Sequence, residues 1–184
     1  GAFSLLLLTP EYMVAVRDSN GFRPLALGKL DNGYMVASET CSFDLCHAEY
    51  VRDIEPGEML IFDKNGMRSE FFADEPDGRI SHCIFEHVYF SRPDSLVFGD
   101  NVHQIRKLLG KQLAKEHPAD ADMVISVPDS GNSAALGYAE ESGLPFEWGF
   151  IRNHYVGRTF IQPSQAVRAK GVNIKLNAVR EVIN

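Results

Sequence analysis

Residues 123–142 read MVISVPDSGNSAALGYAEES, and this stretch decides the fold class of the second half of the chain. Its first five residues are a short apolar run, typical of a strand that is buried on both faces. The turn PDSG at 128–131 follows, with side chains that can cap the backbone N–H groups of a helix start. Residues 132–142 then predict a helix. The inner face of that helix is predicted to hold Ala134, Ala135, Tyr138 and Ala139.

Further elements on both sides extend this pattern. Residues 101–116 carry apolar side chains three and four positions apart, which predicts an amphipathic helix ending at His117-Pro118. Residues 146–151 are strand-like again, and the chain after them is basic and irregular. Because helices and strands alternate, we predict an α/β layer with a parallel sheet.

The first 72 residues have a different pattern. Short apolar runs alternate with turn signals, among them DNG at 31–33 and KNG at 64–66. We expect a β-meander with one short helix within 42–49. The fold class is therefore α/β with an α+β N-terminal part. Residues 73–79 (ADEPDGR) have the composition of a surface connection, and we place the domain boundary there.

Composition narrows the function classes. At 184 residues the chain has room for one domain or two small ones, and 45% hydrophobic residues suffice for a core. Its net charge of −7 disfavours nucleic-acid partners. The apolar run at 5–8 is far shorter than the roughly 20 residues that span a bilayer, and no signal peptide is visible. We therefore expect a cytoplasmic protein without a membrane partner.

The basic segment is a local anomaly in this acidic chain. Residues 152–180 contain six basic residues and no acidic one. Ligands of α/β sheets collect beyond the carboxyl ends of strands, and a helix start attracts anions. Phosphate is thus the expected ligand, with Arg158 as a bidentate donor and Lys175 as a mobile charge. The alternative is a capped helix followed by a solvated basic loop.

Seven short motifs occur in order along nearly the whole chain. They are RDSNGFRPL at 17–25, ASETC at 37–41, EPGE at 55–58, CIFE at 83–86, YFSRPDS at 89–95, VPDSG at 127–131 and NHYVGRTFI at 153–161. Together they closely resemble the amidophosphoribosyltransferases. The resemblance implies that residues 1–80 are the C-terminal part of an N-terminal-nucleophile glutaminase domain. It implies that residues 81–184 are the N-terminal part of a type I phosphoribosyltransferase domain.

The resemblance also implies an activity. Enzymes of this family release ammonia from glutamine and use it to displace pyrophosphate from phosphoribosyl pyrophosphate, which gives 5-phosphoribosylamine in the first committed step of de novo purine synthesis. The implied enzyme is a pentosyltransferase with glutamine amidotransferase activity, inhibited by purine nucleotides and assembled as a homo-oligomer, a dimer or a tetramer. The competing hypothesis is a non-catalytic nucleotide- or phosphate-binding α/β module.

Parts of the family's catalytic machinery are not in this sequence. The glutaminase nucleophile is an N-terminal cysteine whose α-amino group acts as the base, whereas this chain begins with Gly1. The paired aspartates of the phosphoribosyl pyrophosphate fingerprint would follow Lys175-Leu176-Asn177, beyond the last residue. We therefore expect an internal fragment that has no catalytic residue and is inactive alone.

The resemblance assigns six residues to ligands. Arg152, Tyr155, Arg158 and Lys175 match the loop that closes over pyrophosphate. Ser130 matches a position that helps hold the substrate's Mg²⁺, although a helix N-cap is the alternative reading of this serine. Cys83 matches the first of four cysteine ligands in relatives with a [4Fe-4S] cluster, and the alternative is an ordinary buried thiol.

Overall fold

The computed structural model describes residues 1–72, 80–157 and 164–183 of the chain. By its internal contacts the chain divides into two units, Gly1–His103 and Gln104–Asn184. The first unit is built mainly from antiparallel sheets, and the second from helices and short strands. The mixed α/β fold class is therefore confirmed.

The main part of the first unit consists of strands and one short helix. In chain order these are β1 (Ser4–Leu8), β2 (Met13–Arg17), β3 (Ala26–Leu30), β4 (Gly33–Ala37), α1 (Cys41–Cys46), β5 (Glu49–Asp53), β6 (Glu58–Asp63) and β7 (Gly66–Phe71). One antiparallel sheet has the order β1-β2-β6-β7, and a second has the order β4-β3-β5. Both predicted hairpin turns are confirmed, since they join β3 to β4 and β6 to β7.

The prediction of one continuous β-meander is wrong. Strand β2 pairs with β6 and not with β3, so that Met13 lies opposite Phe62. The reason is burial, because the two sheets contribute to one core. That core is the cluster Ala15, Leu25, Leu27, Ile54 and Leu60. The predicted helix within 42–49 is confirmed but ends at Cys46, where His47 takes a left-handed conformation with φ of 54°.

The RDSNGFRPL motif folds into a buried turn. Arg17 is 2% exposed, and its guanidinium donates to three backbone carbonyl oxygens, those of Gly21, Arg23 and Ile54. Asp18 is fully buried and accepts from the backbone N–H of Asn20 at 3.0 Å. Burial lowers the pKa of Arg17, although Asp53 and Asp18 oppose that effect. Both charged side chains thus hold the backbone of the turn in place.

Residues 80–103 belong to the first unit. A π-helical turn, Glu86–Phe90, precedes the hairpin of β8 (Leu96–Val97) and β9 (Asp100–Asn101). Glu39 accepts from the backbone N–H of Arg92 at 2.7 Å and from the Ser95 hydroxyl at 2.9 Å. These bonds explain why the first unit extends to residue 103. The predicted connection at 73–79 lies outside the described residues, and a domain boundary at residue 80 stays a prediction.

The second unit contains the α/β layer. Its elements are α2 (Val102–Glu116, which begins in the first unit), β10 (Val124–Ile125), α3 (Asn132–Ser142), β11 (Phe146–Glu147), β12 (Phe150–Arg152), α4 (Gln165–Lys175) and β13 (Leu176–Ala178). Strands β10 and β11 pair in parallel, as predicted, while β12 pairs antiparallel with β13. The predicted single strand at 146–151 is thus two strands. The expectation of irregular structure after residue 151 is wrong for 165–178.

Helices α2 and α3 meet through their backbones. A Cβ atom on Gly137 would lie 1.9 Å from the carbonyl oxygen of Lys107, and one on Gly110 would lie 1.9 Å from that of Ala134. The apolar stripe of α2 is only partly buried, since Val102 is fully buried but Leu108 is 58% exposed. In the described part of the chain, no helix is long and apolar enough to cross a bilayer.

Gly137→Ala should destabilise the second unit, because the new methyl group would force α2 and α3 apart. Overpacking of this kind costs about 1–3 kcal/mol, which chemical denaturation followed by circular dichroism would measure. Gly157→Ala is the matched control, because a Cβ atom there has no neighbour within 4 Å among the residues that the structure describes. Equal unfolding free energies for the two variants would contradict the close helix contact.

The buried carboxylate of Glu58, in β6, links this strand to Arg52 of β5 and Ser69 of β7. Glu58 is 1% exposed, pairs with Arg52 at 2.6 Å and accepts from the Ser69 hydroxyl at 2.6 Å and the Glu55 backbone N–H at 2.7 Å. Burial by itself raises the pKa of Glu58, but the hydrogen bonds from Arg52, Ser69 and Glu55 outweigh it and lower the pKa below 4.5. The ionised form therefore stabilises the fold.

Acid should weaken the first unit through this carboxylate. A lowered pKa in the folded state gives stability that is present above the unfolded pKa and is lost as pH falls through the folded value. The free energy of unfolding should therefore decrease as the pH falls below about 4.5. Glu58→Gln should make this decrease smaller. Denaturant titrations between neutral and acidic pH measure it. Asp94→Asn, which removes a half-exposed carboxylate, is the control, and parallel profiles for wild type and Glu58→Gln would refute the prediction.

Candidate functional site

The turn at 128–131 connects β10 to α3 and is held at both of its ends. Ser126, 5% exposed, donates its hydroxyl to Oδ1 of Asn132 at 2.6 Å, which ties the strand end to the helix start. The backbone N–H of Gly131 donates to the carbonyl oxygen of Val127 at 3.2 Å. A Cβ atom on Gly131 would lie 2.9 Å from that same oxygen, so a larger residue would open the turn. The sequence thus produces a tight loop at the carboxyl end of β10.

Ser130 lies exposed at the tip of this turn. The N-cap of α3 is Gly131, and no side chain makes a capping hydrogen bond there. The alternative reading of Ser130 as the N-cap is therefore wrong. The Ser130 hydroxyl does not cap helix α3, and because the residue is exposed the hydroxyl is accessible to a ligand.

Arg152, at the end of β12, reaches this turn. Its Nη1 forms an ion pair with Oδ2 of Asp129. The Arg152 side chain is 30% exposed and that of Asp129 is 49% exposed. The Nε atom of Arg152 is buried and has no hydrogen-bond partner among the described residues. A guanidinium with an unsatisfied donor thus faces the turn that carries Ser130.

The other predicted residues flank Arg152. The Asn153 backbone N–H donates to the carbonyl oxygen of Lys175 at 2.7 Å, so the last residue of α4 adjoins the end of β12. Tyr155 is fully exposed, and its backbone N–H donates to Oδ1 of Asn153 at 3.0 Å. The structure therefore brings Arg152 to the turn and places Lys175 in space beside Asn153, while Tyr155 follows Arg152 closely in the chain. Arg158 lies outside the described residues.

Sequence reasoning missed Asp129 as the partner of Arg152. The two residues are 23 positions apart, and no periodicity links them. One signal was available, because both residues lie at or just after strand ends, where the loops of an α/β layer converge. The carboxylate is now part of the candidate site.

Cys83 lies in the first unit and is half-buried. Its backbone N–H donates to the carbonyl oxygen of Phe22 at 3.1 Å. Across residues 1–72, 80–157 and 164–183, no three His, Cys, Asp or Glu side chains are grouped so that they could hold a metal ion. A [4Fe-4S] cluster requires four protein ligands, so these residues by themselves do not fit one. The described residues do not form a complete Mg²⁺ site at Ser130 either, because the neighbouring carboxylate of Asp129 is paired with Arg152.

The first unit also contains an open cavity of about 510 Å³. Its buried carboxylate, Glu86, pairs with Nε of Arg23 at 2.7 Å and accepts from the Ser91 hydroxyl at 2.8 Å. Arg23 in turn lies 4.8 Å from the ring centre of Phe90. Because these polar groups are paired with one another, we interpret them as stabilising the fold and not as a ligand site.

Comparison with known proteins gives consistent matches. No family model matches the chain. The chain is 54% identical over its full length to the amidophosphoribosyltransferase of Bacillus subtilis, of which it covers 38%. It is 52% identical to that of Mycobacterium tuberculosis strain H37Rv and covers 34% of it. It is 53% identical to the chloroplastic amidophosphoribosyltransferase 1 of Arabidopsis thaliana and covers 32%.

Solved structures give the same result. The glutamine phosphoribosylpyrophosphate amidotransferase of B. subtilis, complexed with ADP and GMP, superposes with a TM-score of 0.87. The match covers all of this chain and 40% of the B. subtilis chain. The chain thus spans between about a third and two fifths of the proteins it matches. The recognition made from seven short motifs is confirmed: along its full length the chain is similar in sequence and fold to part of the amidophosphoribosyltransferases.

Proposed function

We propose that these residues are part of a glutamine-dependent amidophosphoribosyltransferase, a pentosyltransferase of purine biosynthesis. The reaction converts glutamine, phosphoribosyl pyrophosphate and water to 5-phosphoribosylamine, glutamate and pyrophosphate. The observation that carries the proposal is Arg152, whose guanidinium faces the 128–131 turn in a chain 54% identical to such an enzyme. The domains would divide near residue 80, with glutaminase residues before it and phosphoribosyltransferase residues after it.

The leaving group explains the chemistry of the candidate site. When ammonia attacks the sugar carbon, the bond to pyrophosphate breaks and negative charge accumulates on the departing oxygens. Cations fixed at that position stabilise this charge more strongly than that of the bound substrate, which lowers the barrier. Arg152 would supply two N–H donors to neighbouring phosphate oxygens, and Lys175 a mobile positive charge. Arg158 is proposed for the same task from its position in the NHYVGRTFI motif.

Tyr155 and the turn would complete the contact. The Tyr155 side chain is fully exposed, so its hydroxyl can donate to a phosphate oxygen. The 128–131 turn lies at the start of α3, where the helix dipole favours an anion. Closure of these groups over pyrophosphate would exclude water from the reacting carbon.

Two inorganic groups follow from the resemblance only. Mg²⁺ would neutralise the pyrophosphate oxygens, and Ser130 would offer one oxygen ligand. Cys83 would supply one thiolate to a [4Fe-4S] cluster in the complete protein. Because the described residues supply only part of either ligand set, no step of the proposed reaction is assigned to these groups.

Nucleotide binding is the second candidate function. The B. subtilis relative was solved with ADP and GMP bound, which supports a purine nucleotide as a further ligand of this fold. A basic segment beside a phosphate-binding turn suits a nucleotide as well as pyrophosphate. A binding module without activity would bind GMP but would not release pyrophosphate. We further propose a cytoplasmic homo-oligomer, a dimer or a tetramer, as the family resemblance implies.

The activity can be tested on the complete polypeptide that contains these residues. Glutamine-dependent release of pyrophosphate from phosphoribosyl pyrophosphate should be observed. Arg152→Ala should lower kcat/KM by about 10²-fold, the size of effect seen when one preorganised donor to a developing charge is removed. Loss of the interaction at the leaving group should appear mainly in kcat.

Lys115→Ala is the matched control, since it removes one positive charge from the same unit at a side chain that is 58% exposed. Its kcat/KM should stay within about twofold of the wild-type value. If the wild-type protein binds GMP but releases no pyrophosphate, the enzyme hypothesis is wrong and the binding-module hypothesis is favoured. Equal rates for Arg152→Ala and Lys115→Ala would remove Arg152 from the site.

A further inference from the structure

We propose that Asp129 is a positioning residue that holds Arg152 in the empty site and competes with pyrophosphate for it. Asp129 is not among the residues that the family motifs assign to a ligand. The inference rests on the proposed function, because it describes how the same site takes up and releases its anion. It makes Asp129 an internal counter-anion of Arg152.

The ion pair joins the turn after β10 to the end of β12. It also lies where the proposed pyrophosphate must contact Arg152. Both side chains are partly exposed, at 30% for Arg152 and 49% for Asp129, so a dissolved anion can reach the pair. A ligand therefore meets Arg152 with a carboxylate already bound to it.

The Arg152 guanidinium is incompletely paired within the part of the chain that the structure describes. Asp129 engages Nη1, whereas the buried Nε has no hydrogen-bond partner among the described residues. A guanidinium has five N–H donors in a rigid fork that matches two oxygens of one phosphate group. Nε is out of reach of a dissolved anion, but the outer N–H groups of this 30% exposed side chain can contact two phosphate oxygens in place of one carboxylate oxygen. Exchange of Asp129 for pyrophosphate is thus favourable for Arg152.

The Asp129 carboxylate continues to act after pyrophosphate has displaced it from Arg152. Ion pairs that are open to solvent are weak, because water and salt screen them, so a multiply charged anion can displace Asp129. The displaced carboxylate then remains in the same turn and repels the bound anion. Both effects lower the affinity for pyrophosphate. When pyrophosphate leaves, Asp129 recaptures Arg152, which favours release of the product.

The test is the affinity of the complete protein for inorganic pyrophosphate, measured by isothermal titration calorimetry at fixed ionic strength. Removal of the internal competitor in Asp129→Asn should lower the Kd by about three- to tenfold, the range expected for a screened ion pair plus the loss of one repulsive charge. Asp129→Ser removes the same charge and should give the same change, should Asp129→Asn fold poorly. Asp129→Glu keeps the charge and should stay within about twofold of wild type.

Glu140→Gln controls for the overall change in charge. Glu140 is an exposed carboxylate of the same unit that pairs with Lys107 and Lys111, and its removal should leave the Kd within about twofold. An unchanged or weakened affinity in Asp129→Asn and Asp129→Ser would overturn the proposal, as would the absence of pyrophosphate binding in every variant. Failure of the proposed function is recognised separately, since it appears as a lack of glutamine-dependent turnover in the wild-type protein.

Discussion

Parallel pairing of β10 with β11 is the constraint on which the candidate site depends. Val124 lies opposite Phe146, and the Val124 backbone N–H also donates to the carbonyl oxygen of Pro145 at 2.9 Å. Because parallel strands end at the same edge of a sheet, the chain that leaves β10 and the chain that leaves β11 emerge side by side. The 128–131 turn and Arg152 are placed together in this way. The close contact of α2 with α3 holds the helix that begins at this turn.

Charge is distributed unevenly along the chain. The chain carries a net charge of −7, yet residues 152–180 hold six basic residues and no acidic one. A local excess of positive charge attracts anions, and Arg152 brings one of these charges to the 128–131 turn. Asp129 is the carboxylate that enters this region and pairs with Arg152. The proposed site would therefore combine attraction of an anion with an internal group that limits how tightly the anion is held.

The local parts of this arrangement were predictable from the sequence. The helix at 132–142 agrees with its predicted bounds, because apolar periodicity and the turn before it are local signals. The hairpins at 31–33 and 64–66 agree for the same reason, since turn chemistry acts over a few residues. The seven motifs in order also predicted the similarity to amidophosphoribosyltransferases that the comparisons show, because seven motifs in order are far more specific than one.

Long-range features were not predictable in the same way. The pairing of β2 with β6 depends on which apolar faces share a core, and the strand pattern alone does not state this. The break at Gly149 divides the run 146–151, which is rich in aromatic and apolar residues on both sides of that glycine, so the sequence pattern indicated one strand where two exist. The ion pair of Arg152 with Asp129 is a tertiary contact between two loops, and neither residue type reveals it. Ser130 had two readings, and only the helix geometry removed the capping one.

The central claim is that the turn at 128–131 and the chain at 150–157 form one pyrophosphate site. Hydrogen–deuterium exchange of the complete protein, with and without inorganic pyrophosphate, tests it most directly. We expect slower exchange on binding in peptides covering 128–135 and 150–157, with unchanged exchange in β3 and β4. Protection confined to other segments, or no protection at concentrations that saturate binding, would contradict it.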